Sequence, residues 1–409
     1  MNILFLTHSF PYPPNEGIKL MSYYLLKELS KKNSITLLSF VWSDEEKSYI
    51  PEIRKFCQKI EIVEHKIPKS FLKRLWNTFF QKKPFCVYQF YSKNFEKKLK
   101  EIITAEKFDI IHFDFINTSF YRNSISNIPS VFFPHDAMSM LFFRNIKAER
   151  NIFRKFYTYT QYKKMSQYEK EIIPKFDKTI VVSPKDRNWL LSINSNFDIE
   201  IIPNGVDAEY FYPFNIEEDF PSVIFRGIMD FVPNVDAAVY FAKEIFPLIQ
   251  KEIPNVKYYI VGPNPAKKIK QIVSEKTIIT GYVEDIRPYI AKTTVNVCPM
   301  RIGSGIKNKI LEAMAMAKPT VATSIAIEGI PDVTDGENIL IADTPKEFAK
   351  KVILLIKDES LRKKIGENAR EFVMKNYTWK KSAEKFEDIY KQAISNYRKE
   401  IALPISRSQ

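Results

Sequence analysis

The side chains best placed to do chemistry fall in one short loop and at a few strand ends. Arg301-Ile302-Gly303-Ser304-Gly305-Ile306-Lys307-Asn308-Lys309 joins three cations to two glycines and runs into a helix that Glu312 is expected to open. Glycines let backbone N–H groups come close to a diphosphate, and the N-terminus of a following helix favours that negative charge. Four histidines occur. His135 follows the apolar run Val131-Phe132-Phe133-Pro134 and precedes Asp136, whereas His112 lies inside Asp109-Ile110-Ile111-His112-Phe113-Asp114. Both positions read as carboxyl ends of buried strands, where ligand-facing residues sit in α/β proteins. Each can also be read as a satisfied core histidine, His112 more readily than His135; His135 is the first choice for a catalytic contact and His112 the second. His8 opens a loop, His8–Gly17, whose three prolines make it stiff.

These positions need a scaffold that ends strands at loops, and the hydrophobic pattern supplies one. Ile3–Leu6, Ile35–Phe40, Ile110–Phe113, Val131–Phe133 and Thr179–Val182 are short apolar runs separated by segments such as Ile18–Ser30, where apolar residues recur at three and four. The pattern restarts at Ser222–Phe225 and continues through Tyr258–Val261, Thr277–Ile279, Val295–Val297, Thr320–Ala322 and Ile339–Ile341. Such alternation predicts α/β architecture: two doubly wound parallel sheets with helices on both faces, facing each other across a cleft. The boundaries expected are 1–203, a proline-containing acidic linker over 204–221, and 222–379, with a last helix over about 380–409 packing back on the first domain. At the junction, Asn204-Gly205 reads as a turn in which glycine supplies a positive φ.

Composition narrows the function. The chain has 409 residues, net charge +14, 45% hydrophobic residues and three cysteines far apart in sequence. Neither a disulfide framework nor a cysteine zinc site fits, and a reducing cytoplasm is the simpler setting. No apolar run approaches the roughly 20 residues of a membrane-spanning helix, and Met1–Leu6 reads as a first buried strand rather than a signal peptide. No Gly-x-Gly-x-x-Gly follows that strand and no Gly-Lys-Ser/Thr occurs, so dinucleotide-dependent and P-loop chemistries are disfavoured. No His-x-x-x-His or comparable metal-ligand set is visible. The charge is uneven: residues 1–200 carry +11 and residues 201–409 carry +3. Residues 66–100 hold ten basic side chains, one acid (Glu96) and nine aromatics. That segment suits an anionic membrane surface, single-stranded nucleic acid, or an amphipathic core helix with solvated lysines.

Ile202-Pro203-Asn204-Gly205-Val206-Asp207 at a domain junction resembles the family-4 (group 1) retaining glycosyltransferases of GT-B fold. The resemblance extends through Phe225-Arg226-Gly227-Ile228-Met229-Asp230, Pro233–Ala237, Val261-Gly262, Thr280–Tyr289 and Leu311-Glu312-Ala313-Met314-Ala315, in the family's order. The spacing is similar to bacterial sugar transferases linked to surface-polysaccharide synthesis. It implies a retaining, metal-independent transferase that takes a sugar from a nucleoside diphosphate sugar and passes it to a glycan or lipid-linked acceptor. No cofactor beyond that co-substrate is implied, and the location would be cytoplasmic, peripheral on the inner face of the membrane.

Residue by residue, the resemblance gives Glu312 the ribose hydroxyls and assigns donor binding to Gly17, Gly227, Gly262, Val283, Gly303, Ser304, Gly305, Ile306 and Lys309. His135 takes the catalytic contact; His8, His112 and Asp136 lie on the acceptor side. Two departures stand out. Ser304 occupies the place of the family's first glutamate, and Ile228 with Pro233 or Asn234 replaces a basic pair after the first donor-domain strand. A departing diphosphate needs positive charge, so Arg301 or Lys307 is expected to supply it, with Lys309 the third cation. Lys307 and Lys309, two apart, would not share a face of a regular helix. A non-catalytic nucleotide-sugar-binding protein, a same-fold epimerase and a nucleic-acid binder are the competing readings; a nucleic-acid partner is not expected.

Overall fold

The computed structural model describes residues 1–14, 17–65, 71–125, 127–149, 151–303 and 305–402. The chain divides into two compact units: Met1–Pro203 with Ser382–Gln409, and Asn204–Lys381.

Unit 1 is built on a seven-stranded sheet of order β3-β2-β1-β4-β5-β6-β7. The strands are β1 (Asn2–Thr7), β2 (Ser34–Val41), β3 (Lys59–Glu64), β4 (Ile110–Asp114), β5 (Ser130–His135), β6 (Lys178–Val181) and β7 (Ile199–Ile201). Every pairing is parallel. Central parallel strands lie under helices on both faces, so they read as unbroken apolar runs rather than alternating ones. β4 and β5 are buried along their whole length. β3, Lys-Ile-Glu-Ile-Val-Glu, alternates charge with aliphatic residues because it is an edge strand. Near its end β5 loses register against β6 between Phe132 and His135. Pro134 lies in that interval and has no N–H to donate to a ladder.

The last helix, Trp379–Ala402, contributes residues from Ser382 onward to unit 1. Tyr390 from it hydrogen-bonds His112 Nδ1 at 2.7 Å. His112 is fully buried, stacked on Phe5 at 4.1 Å and edge-on to Phe386. It is a core residue, bonded through Nδ1 while its buried Nε2 lies 4.0 Å from Asp114, and its expected acceptor-side role is corrected here. As the third residue of β4 it points into the layer that the last helix covers.

Unit 2 carries a six-stranded parallel sheet of order β10-β9-β8-β11-β12-β13. Its strands are β8 (Ser222–Arg226), β9 (Lys257–Val261), β10 (Thr277–Gly281), β11 (Val295–Cys298), β12 (Thr320–Ala322) and β13 (Leu340–Ile341). Val223, Phe225, Tyr258, Ile260, Val295, Val297 and Val321 form the centre of its core. Residues 204–221 belong to this unit, where Asp219 accepts from Lys257 Nζ at 2.8 Å. Gly205 is not in a positive-φ turn. It is glycine because a Cβ there would lie 2.5 Å from the Trp379 backbone nitrogen, beside the bridge between Val206 and Thr378.

Candidate functional site

A cavity of about 660 Å³ opens at the carboxyl ends of β8 and β9. Arg226, the last residue of β8, ends an apolar strand and is 5% exposed. Its guanidinium donates to Glu312 Oε2 and to the Lys309 carbonyl. Gly227 follows, and a Cβ there would lie 2.6 Å from Asn234 Nδ2 and 2.9 Å from Lys309 Nζ. A larger residue would push both groups aside, on a backbone whose φ of 154° side chains rarely adopt. Lys309 Nζ donates to Asn234 Oδ1 at 2.7 Å and sits 4.5 Å from the centre of the Phe225 ring. Burial pushes its pKa down to about 8, with Arg226 and Lys307 adding to the effect against Cys298 and Glu312. Lys307 Nζ donates to the Gly305 carbonyl at 3.1 Å.

The residues expected to bind the donor are brought together here only in part. Gly227, Gly262, Val283, Gly303, Ile306, Lys307, Lys309 and Glu312 line this cavity. Ser304 lies outside the described residues, and Gly17 begins the first helix of unit 1, Gly17–Leu29. Arg301 does not line the cavity. Its guanidinium forms two bonds to Asp236, at 3.0 and 2.7 Å, and packs over the Tyr240 ring. Two further expectations change. The helix begins at Asn308, so Glu312 stands in its second turn rather than its first. Lys307 precedes that helix with extended backbone, so helical spacing does not separate it from Lys309, and both face the cavity. Arg226 and the Asn234–Lys309 pair were not singled out from sequence. A charged residue closing the run Ser-Val-Ile-Phe-Arg was the available sign.

Unit 1 carries a second cluster at the ends of β1, β4 and β5. Asp114, fully buried, accepts from Ser22 Oγ at 2.5 Å and is 2.7 Å from His135 Nε2. Burial alone would raise its pKa, but His135 and His112 hold its carboxyl well below the usual carboxylate range. His135 stacks on Phe133 at 4.0 Å and is 5% exposed. It holds a φ of 68°, and Phe115 beside Asp114 holds 70°, left-handed values that side chains other than glycine rarely adopt. His8 stacks on Phe115 at 4.5 Å, and burial lowers its pKa to about 4, so the ring is neutral at physiological pH. Asp136 is raised by burial and then by Asp186, against His135 and Arg144. His135, His8 and Asp136 thus stand near one another at strand ends. Asp114 and Ser22 complete the cluster without having been read from sequence.

Behind it, Glu169 is fully buried and accepts from the Ser139 N–H at 3.1 Å, and burial pushes its pKa up to about 7. A group protonated more tightly in the folded chain gives stability that is complete below its unfolded pKa and lost as pH rises through the folded value. Glu169→Gln is therefore expected to melt close to wild type at pH 5 and to gain about 2 kcal/mol on it at pH 8. Thermal unfolding at the two pH values checks this.

Among the described residues, no group of three or more His, Cys, Asp or Glu is placed to hold a metal ion. Nor is any helix among them long and apolar enough to cross a membrane. Of the aromatics expected to form a basic surface over 66–100, Phe85, Phe90 and Phe95 are buried, while Trp76, Phe79, Phe80 and Tyr88 are exposed. Residues 66–70 lie outside the described residues.

Two family models divide the chain between them: Glycosyltransferase Family 4 matches residues 17–210, and Glycosyl transferases group 1 matches residues 221–358. The chain belongs to the family 4, group 1 glycosyltransferases. This glycosyltransferase is 23% identical to an uncharacterized 44.6 kDa protein in the cps region of Klebsiella pneumoniae, over 95% of this chain and 99% of that one. It is 25% identical to the capsular polysaccharide biosynthesis glycosyltransferase CapM of Staphylococcus aureus, over 46% and 52%. Among solved structures, sucrose-phosphate synthase from Thermosynechococcus elongatus matches with TM-score 0.67 at 15% identity, over 97% of this chain and all of that one. Anabaena HepE in complex with UDP and glucose matches with TM-score 0.63 at 15% identity, over 96% and 100%. The fold is GT-B, with two Rossmann-like domains.

Proposed function

We propose that this glycosyltransferase moves a sugar from a nucleoside diphosphate sugar to a glycan or lipid-linked acceptor in cell-surface polysaccharide synthesis, retaining the anomeric configuration and needing no metal ion. One observation supports the reading: the unit 2 cavity is lined by the Glu312 carboxylate, the ammonium-bearing Lys307 and Lys309 and the Arg226 guanidinium. That is a carboxylate for the nucleoside and a cationic wall for the diphosphate. The relation to CapM and to a protein in a cps region supports the polysaccharide setting. HepE, whose structure holds UDP and glucose, supports the donor class.

Cleavage of the donor leaves its charge on the diphosphate, so cations fixed in advance lower the barrier most. The acceptor hydroxyl attacks from the face the diphosphate leaves, and its proton passes to a departing phosphate oxygen. Retention then requires no enzymic nucleophile. The Asp114–His135 pair of unit 1 is assigned to the reacting sugar.

The test is a panel of nucleoside diphosphates and their sugars, scored by thermal stabilisation and then by release of free nucleoside diphosphate in the presence of glycan acceptors. At least one should stabilise the chain according to RT ln(1 + [L]/Kd). Glu312→Ala should weaken that ligand about tenfold or more, the worth of a charged hydrogen bond. Stabilisation by a nucleotide sugar without any release identifies a binding protein instead. No response to any nucleotide overturns the reading.

A further inference from the structure

Helix Phe71–Phe80 is held to the protein by its polar side. Asn77 is 1% exposed; Gln161 of helix Ile152–Ile172 donates to its side chain at 3.3 Å, and Asn77 donates to the Lys83 carbonyl at 3.0 Å. Lys164 closes the end of the helix by donating to the Asn77 and Thr78 carbonyls. Three large apolar side chains point the other way. Trp76 is 56% exposed, Phe79 63% and Phe80 66%, with the Trp76 and Phe80 rings stacked at 4.4 Å. A surface helix of a globular protein buries its apolar stripe and exposes its polar one. Over Trp76–Phe80 the reverse holds.

The helix to which it is tied has a second exposed apolar stretch. Ile152, Phe153, Phe156 and Tyr159 are all exposed, Phe153 at 83%. Ile152, Phe156, Tyr159 and Lys163 follow the spacing of one helical stripe. Exposed Lys82, Arg154, Lys155 and Lys163 accompany the aromatics, and neither residues 66–95 nor residues 150–168 contain an acid. Aromatic insertion framed by cations alone matches the boundary of an anionic bilayer, where each nearby Lys or Arg adds about 1 kcal/mol.

We propose that Trp76, Phe79 and Phe80 and the exposed aromatics of Ile152–Tyr159 seat this chain on the surface of an anionic membrane. The surface goes beyond the donor cavity and uses none of its residues. It also differs from the segment the sequence singles out: Phe85, Phe90 and Phe95 are core, and helix Ile152–Ile172 supplies a share that composition did not mark.

The experiment is co-sedimentation of the full chain with phosphatidylcholine vesicles containing about 30 mol% phosphatidylglycerol, against phosphatidylcholine alone. Wild type should bind the mixed vesicles at least about tenfold more strongly, and added salt should weaken the binding. Phe79→Ser/Phe80→Ser and Phe153→Ser/Phe156→Ser should each lower binding about tenfold or more. Because every changed side chain is exposed, both variants should keep the wild-type melting temperature and its response to nucleoside diphosphate. Vesicle binding that either variant leaves unchanged overturns the proposal. So does wild type that ignores the mixed vesicles, or that is held as a dimer which the same substitutions dissociate. Failure of the nucleotide response with vesicle binding intact would count against the donor reading alone.

Discussion

Lys309→Met will weaken nucleoside diphosphate binding by ten- to a hundredfold and cut sugar transfer further, by about 10²–10³ in turnover. The first figure is the worth of a charge-assisted hydrogen bond, about 1.5–3 kcal/mol. The second is the effect of deleting one fixed group aimed at charge that develops in the transition state. Lys309 is chosen over Arg301 because the structure ties Arg301 to Asp236 outside the cavity, whereas Lys309 reaches Asn234 at 2.7 Å past Gly227. The ammonium thus comes from the glycine loop to the place beside Ile228 and Asn234, where the family's basic pair is missing.

A pH profile separates this role from a structural one. Burial holds the pKa of the lysine down to about 8, and a diphosphate beside it would raise it. Affinity is then complete below pH 8 and falls above it, by up to about tenfold per pH unit until the pKa of the complex is passed. Calorimetry between pH 7 and 9.5 should show that decline in wild type and a flat profile in Lys309→Met. A flat wild-type profile sinks the assignment. Methionine keeps most of the stem volume and can pack its sulfur against Phe225, so the change removes the charge more than the packing.

How far such roles can be read without coordinates differs between the two units. The parallel sheets were legible because buried strands such as Ile-Leu-Phe-Leu and Val-Ile-Phe carry apolar residues without a break. β3 was not, because an edge strand with alternating charge lacks that signal. The glycine loop and Glu312 were legible as local spacing. The partners of its cations were not: Arg301 meets Asp236 across 65 residues, and Arg226 meets Glu312 across 86. Spacing in the chain says nothing about such pairings.

The histidines show the same limit from another side. His112 and His135 both sit in apolar strands near an aspartate. Which is core depends on the side of the sheet each faces and on a helix nearly 280 residues away that brings Tyr390 to His112. In the basic segment, aromatics alternate between core and surface according to whether a residue such as Asn77 anchors the helix by its polar side. Periodicity alone assigns them the opposite way.

His135→Asn should lower turnover by about 10²–10³ and leave donor affinity within about threefold. Asparagine is the informative substitution because it tolerates the left-handed backbone that His135 holds at φ 68°, so lost packing does not mimic lost chemistry. Asp114, held ionised, accepts from the Nε2 side of the ring, which leaves Nδ1 as the nitrogen that can meet a substrate hydroxyl. Asp114→Asn keeps the size of the group and an oxygen for the ring while removing the charge, so it tests positioning. It should cut turnover about tenfold and leave donor affinity within about threefold, because the ring is then held less firmly toward the reacting sugar. A purely structural role for Asp114 would lower the melting temperature and leave the turnover of the folded enzyme unchanged. If His135→Asn turns over at the wild-type rate with the same donor affinity, the ring makes no contact with the reacting sugar. The strained backbone at Phe115 and His135 then needs another explanation than catalysis.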